Sequence, residues 1–152
     1  MIWDKETGIP LYHAIVWQDS RTGARCEELN NSPWGMKCKM ATGWTIATVY
    51  SSLLIEWMMQ NVPQVREKLL DGSAIFGTID SWLIWKLTGG KTHAISYSNA
   101  SVTGALDLKS CTWYQELLDY LGIPVACFLS IMDDSGNFGT TLSEILGQKS
   151  PL

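Results

Sequence analysis

A chain of 152 residues, 46% hydrophobic and 17% charged, suffices for one globular domain with a real core. Its 11 Lys and Arg against 15 Asp and Glu leave a net charge of −4, and no segment clusters the basic residues. That balance argues against a nucleic-acid or anionic-membrane partner. No apolar stretch approaches the roughly 18 residues of a membrane span. The opening, MIWDKETG, has neither a basic n-region nor an apolar h-region, which predicts a cytoplasmic chain. Cys26, Cys38, Cys111 and Cys127 are irregularly spaced with no C-x-x-C pair, so reduced, partly buried thiols are expected rather than a zinc site or a disulfide framework.

In chain order, IWDKETGIPLYHAIVW reads as a β-hairpin. Ile2 and Trp3 enter a polar turn ending at Gly8, and a strand-like run follows with Tyr12, Ile15, Val16 and Trp17. QDSRTGARCEEL predicts a polar helix. NNSPWGMKCKMATGW, with Asn, Ser, Pro and Gly together, predicts a loop. From Ser51 the spacing of Leu53, Leu54, Trp57 and Met58 predicts a helix that Pro63 ends, then a short helix over PQVREKLL stopping at Gly72. In FGTIDSWLIWKLTGGK, Asp80 is the expected N-cap. Ile79, Trp82, Leu83 and Leu87 recur at helical spacing with Ile84 and Trp85 opposite, which predicts a helix buried nearly all round. THAISY reads as a strand. Thr112 with Gln115 three residues on forms a capping box for a helix lined by Trp113, Tyr114, Leu117, Leu118 and Leu121, stopped by Gly122 and Pro124. The tail predicts a polar turn region, one short strand and a last helical turn.

Candidate chemistry is sparse by motif. Gly90-Lys91-Thr92 imitates the end of a phosphate loop, but the first glycine position is Trp85, and the glycines follow a helix instead of opening one. Glycine in the left-handed region after a helix accounts for them as a stop. His13 and His93, the only histidines, lie in no ligand or triad spacing, and no G-x-S-x-G elbow is present. The pairs Glu27-Glu28 and Asp133-Asp134 read as solvated. The eight tryptophans (positions 3, 17, 34, 44, 57, 82, 85 and 113) exceed what most cores of this size use, and indole faces suit the C–H surfaces of polyols.

The order of the blocks WDKETGIPLYHAIVWQDSRT, SSLLIEWMMQNV, FGTIDSWLIWKLTGGKTHAISYSNASVTGALDL and WYQELLDYLGIP resembles the glycerol-kinase branch of the FGGY carbohydrate kinase family, from Ile2 to Gly139. The version SNASVTGALD looks most like the divergent glycerol-kinase-like branch found in animals. The resemblance implies an α/β fold, part of a ribonuclease-H-like N-terminal domain of the actin and hexokinase superfamily, helix-rich after its opening hairpin. Residues 1–152 would be an internal part of that domain. The implied activity is phosphorylation of glycerol by MgATP in a cleft between two domains, giving glycerol 3-phosphate and ADP. The implied partner is a small polyol, and the full-length protein could form a homo-oligomer.

The family's D-x-G-T-[TS] phosphate loop, its Arg-Glu polyol clamp and its G-D-Q-Q catalytic-base motif do not occur in these residues. No catalytic, nucleotide-binding or metal-binding residue is therefore expected here, and the 152 residues alone are expected to be inactive. Trp17 matches the family tryptophan that packs on the glycerol carbons. The family's tyrosine contact aligns with Val49, one position from Tyr50, so Tyr50 is the second candidate substrate-binding residue. Leu54 stands where the family signature has lysine. These departures keep two alternatives open: a degenerate kinase-like scaffold, and a kinase for another sugar or polyol.

Overall fold

A computed structural model describes all 152 residues, Met1–Leu152, as eight α-helices and six short β-strands. The opening strand β1 (Ile2–Asp4) runs into a turn that the Asp4 carboxylate organises, accepting from the backbone of Glu6 and Thr7 and from the Thr7 hydroxyl. The returning arm touches β1 only at the bridge between Trp3 and Pro10. Beyond it residues 11–20 are irregular, so the expected strand carrying Tyr12, Ile15, Val16 and Trp17 does not form. Pro10 has no N–H to extend the ladder. The continuous partner of β1 lies far along the chain. Strand β2 (Ala74–Phe76) pairs with it antiparallel, Ile2 opposite Phe76, Trp3 opposite Ile75 and Asp4 opposite Ala74. Met1 and Gly77 exchange both backbone bonds one step further on.

The pleat of this ladder separates two hydrophobic clusters. Ile2 and Phe76 join the main core of 25 buried residues, while Trp3 and Ile75 face the other way and pack with Trp85. The Trp3 and Trp85 rings meet edge to face, 5.9 Å apart.

Helix α1 (Gly23–Asn30) forms where the polar segment predicts it. The expected loop that follows is helix α2 (Pro33–Thr42). The residues that suggested a loop are its punctuation. The Ser32 hydroxyl caps it by accepting from the Trp34 N–H at 3.1 Å, Pro33 occupies the first turn where a missing N–H is harmless, and Gly43 closes it in the left-handed region. Helices α3 (Ser51–Asn61) and α4 (Pro63–Leu70) meet at Val62, and Pro63 opens α4 as much as it ends α3. On α3 the buried face includes Glu56, whose carboxylate the Arg25 guanidinium of α1 holds through two bonds of 3.1 and 2.9 Å.

Helix α5 (Ile79–Leu87) is apolar nearly all round, yet it is buried along one side only: Ser81 and Trp85 are covered, whereas Ile79 is 61% exposed and Leu83 47%. Its end at Gly89 and Gly90, both with positive φ, matches the helix stop. Strand β3 (Ala94–Ser96) pairs parallel with β6 (Ser130–Met132), Ile95 opposite Ile131, and α6 (Tyr97–Ser101) begins directly after β3. The expected capping box at Thr112 is absent. Thr112 and Trp113 form β5, antiparallel to β4 (Leu106–Asp107), and α7 spans only Gln115–Tyr120. The Tyr114 N–H bonds the Ala105 carbonyl, and the Trp113 indole N–H bonds the Leu129 carbonyl. These long-range bonds hold the segment extended and outweigh a local cap. Leu117, Leu118 and Leu121 are buried as their spacing predicts. The tail holds one helical turn, α8 (Ser143–Leu146), and a bridge between Thr140 and Pro151.

His93 ties these parts together. Its Nε2–H donates to the Phe76 carbonyl at 2.6 Å, and its ring stands edge to face on Trp3 at 5.7 Å. Burial pushes its pKa below the ordinary value, opposed by that hydrogen bond. A lowered folded-state pKa means stability that is complete above about pH 6.5 and falls as the ring is protonated at lower pH. Burial also lowers the Met1 ammonium to about 5, with the same sign. Urea unfolding should therefore show a midpoint lower at pH 5 than at pH 7.5, and His93→Gln should remove part of that dependence while leaving the Met1 share.

Candidate functional site

The largest concavity is a cavity of about 500 Å³ that the β1–β2 pairing assembles. Met1, Phe76 and Gly77 form its floor at the end of the ladder. Ala14–Trp17 supply one wall from the irregular segment, Ser51, Leu54 and Met58 of α3 another, and Thr78–Asp80 with Asn99 the polar side. Trp17 stands here with 74% of its surface exposed, the most exposed of the large hydrophobic side chains. A tryptophan so displayed contributes little to folding, and its neighbours Ile15 and Val16 continue the apolar wall.

The polar side is a connected network. The two protons of the Asn99 amide go to Thr78 Oγ1 at 3.0 Å and to Asp80 Oδ2 at 2.5 Å, and Thr78 Oγ1 also meets Ser81 Oγ at 3.0 Å. Asp80 is thus not the N-cap expected of it. Thr78 holds that position without a side-chain cap bond, and Asp80 sits in the first turn with its carboxylate turned to Asn99 and the cavity. Asn99 reaches it because β3 ends at Ser96, whose hydroxyl accepts from the Asn99 N–H and starts α6 at that point.

Tyr50 lies elsewhere. It is 1% exposed, its hydroxyl donates to the Trp44 carbonyl at 2.9 Å and shares a 2.9 Å bond with Thr42 Oγ1, and its ring packs on Trp44. Burial raises the phenol to about 12. Neither Tyr50 nor Val49 lines the cavity, whereas Leu54 and Met58, one turn apart on α3, both do. The ring fits only because Gly104 faces it: a Cβ there would stand 2.1 Å from Tyr50 Cδ2. His13 is exposed beside Tyr12, His93 is structural, and burial raises the Cys38 and Cys127 thiols to about 11 and 12. Cys111 is the one exposed thiol, and all four are free.

Asn99 and Asp80 were legible only as members of two sequence blocks, and no spacing rule joins positions 80 and 99. Leu54 was visible as a departure from a signature. Its place on the cavity wall follows from α3 packing beside the end of the β1–β2 ladder.

Residues 1–149 match the family model for the N-terminal domain of the FGGY carbohydrate kinases. The chain belongs to that family. A glycerol kinase of Symbiobacterium thermophilum is 43% identical over 152 residues, all of this chain and 30% of that protein. Glycerol kinase 2 of Thermotoga maritima is 41% identical over the same 152 residues and 31% of its own length. Among solved structures, Plasmodium falciparum glycerol kinase with ADP superposes with a TM-score of 0.94 at 32% identity, covering 99% of this chain and 30% of that one. A gluconate kinase from Lactobacillus acidophilus shares the fold, with a TM-score of 0.81 at 22% identity over 96% of this chain and 29% of its own. The chain thus spans under a third of the length of the FGGY kinases it matches, and its α/β fold is that of the actin and hexokinase-like kinases.

Two substitutions separate structural from ligand-facing residues. Tyr50→Phe leaves the buried Trp44 carbonyl without its donor and should lower stability by about 1–2 kcal/mol. Gly104→Ala should cost more, at least ~2 kcal/mol, because it combines a positive φ with overlap on a buried ring. Chemical denaturation of the chain measures both, and equal stability of Tyr50→Phe and the parent would remove the structural role of the hydroxyl.

Proposed function

We propose that this chain is part of an ATP-dependent polyol kinase that phosphorylates a terminal hydroxyl of glycerol or a close relative, acting in the cytoplasm. The observation that carries the reading is the exposed Trp17 indole on the cavity wall, in a chain alignable along its whole length with glycerol kinases. An apolar plate beside a carboxylate and an amide suits a polyol, whose C–H face packs on the ring while its hydroxyls donate to Asp80. Trp17 is the substrate-packing residue, and Tyr50 serves by bracing the start of α3 rather than by touching substrate.

The phosphoryl donor in this reading is MgATP, and nothing in these residues fits it. No group of three His, Cys, Asp or Glu side chains converges to hold a metal. Gly89 and Gly90 lie at the C-terminal end of α5, where the helix dipole repels phosphate. What the chain itself supplies is positioning. It holds the polyol carbons against Trp17 and orients hydroxyls through the Thr78–Asn99–Asp80 network, which is the larger part of what phosphoryl transfer asks of a protein.

The 152 residues alone should form no phosphorylated product from glycerol and MgATP above a no-protein control, and turnover above background would overturn that expectation. In a full-length kinase carrying this segment, Trp17→Ala should raise the KM for glycerol about 10- to 100-fold, the loss of one well-packed side chain at about 1.5–3 kcal/mol. The melting temperature of the 152-residue chain should barely move, because Trp17 is already solvated. An unchanged KM would remove Trp17 from the substrate site.

A further inference from the structure

The cavity is too large and too apolar for a three-carbon triol. Glycerol displaces about four waters, each about 30 Å³, and so fills roughly a quarter of the 500 Å³ enclosed here. The remainder is walled by Ile15, Val16, Leu54, Met58, Phe76 and Ile79, while the polar groups gather at one side around Asp80 and Asn99. Leu54 is also the position at which this chain replaces the signature lysine of its family. The charged side chain is lost on the cavity wall itself, where an aliphatic one now lies.

We infer that the cavity binds a polyol bearing a hydrocarbon substituent, of the class of 1-O-alkylglycerols. The triol end lies between Trp17 and the Asp80–Asn99 pair, and the alkyl chain lies along Leu54, Met58 and Phe76. The polarity of the walls dictates that orientation. Hydroxyl donors meet the carboxylate oxygen that Asn99 leaves free, and the methylenes leave water for aliphatic and aromatic surface. A chain of about eight methylenes, each near the volume of one water, fills the space glycerol leaves empty. The inference rests on the polyol-kinase reading for the triol end, and the alkyl specificity is additional to it.

Calorimetric titration of the 152-residue chain with 1-O-alkylglycerols of two to eight carbons, kept below their micellar concentrations, tests it. Affinity should rise about fourfold per methylene until the cavity is full. 1-Octanol, which has the tail without the triol, should bind at least tenfold more weakly than 1-O-octylglycerol. Leu54→Lys should weaken the octyl ether at least tenfold with the melting temperature retained, and Leu54→Met should preserve binding. Affinity independent of chain length, or octanol binding as tightly as the octyl ether, overturns the inference. The polyol-kinase reading fails separately, if the full-length enzyme does not phosphorylate glycerol or any of these ethers.

Discussion

The cavity exists because β1 pairs with β2 across more than seventy residues of intervening chain. That ladder is three residues long with one further Met1–Gly77 pair, yet it sets which side chains face which cluster. A slip of one residue would send Ile2 and Phe76 to the side of Trp85 and drive Trp3 into the main core. It would also carry Gly77–Asp80 away from Ala14–Trp17. The two clusters are therefore what hold the register: a tryptophan and an isoleucine cannot exchange places in packed cores of different shape. His93 adds a side-chain lock on the same strand through the Phe76 carbonyl.

Around that ladder the site divides its labour between rigid and displayed groups. The start of α3 is braced by the Tyr50 hydroxyl and by the absence of a Cβ at Gly104, and its middle by the Arg25–Glu56 pair. Those contacts are buried and leave nothing for a ligand. They keep the Leu54 and Met58 face of α3 at the cavity while the opposite face enters the core. The polar network is braced in the same way, Asn99 spending both amide protons on Thr78 and Asp80. One carboxylate oxygen and one indole face remain for chemistry. A fold that spends most of its polar groups on itself and exposes a 74% solvated tryptophan has set that residue aside for something other than folding.

Several elements that the sequence suggested were found in other forms, each for an identifiable reason. Ser32, Pro33 and Gly43 carry the chemistry of both loops and helix ends, and only the ten helical residues between them decide which applies. Thr112 and Gln115 satisfy a capping pattern locally, but the backbone bonds of Tyr114 and β5 lie across the chain, beyond a four-residue window. Asp80 was placed correctly in the first turn of α5 and given the wrong partner, since Asn99 arrives through a strand and a second helix. The exposed side of α5 could not be read from its hydrophobicity, which is nearly uniform around the helix and carries no direction.

The sequence by itself determined the family, the helical segments with clear periodicity, the glycine stop after α5 and the choice of Trp17 over seven other tryptophans. These are matters of residue identity and of local spacing, and identity and spacing are what a sequence contains. Only the tertiary structure decided that Tyr50 is turned into the core, that Leu54 faces the cavity, and that Asp80, Asn99 and Trp17 share it. Side-chain direction on a helix, and proximity between residues 17, 80 and 99, depend on which elements pack together. That is settled by the register of a long-range ladder and the volumes of the cores on either side of it, and neither is encoded in any single stretch of the chain.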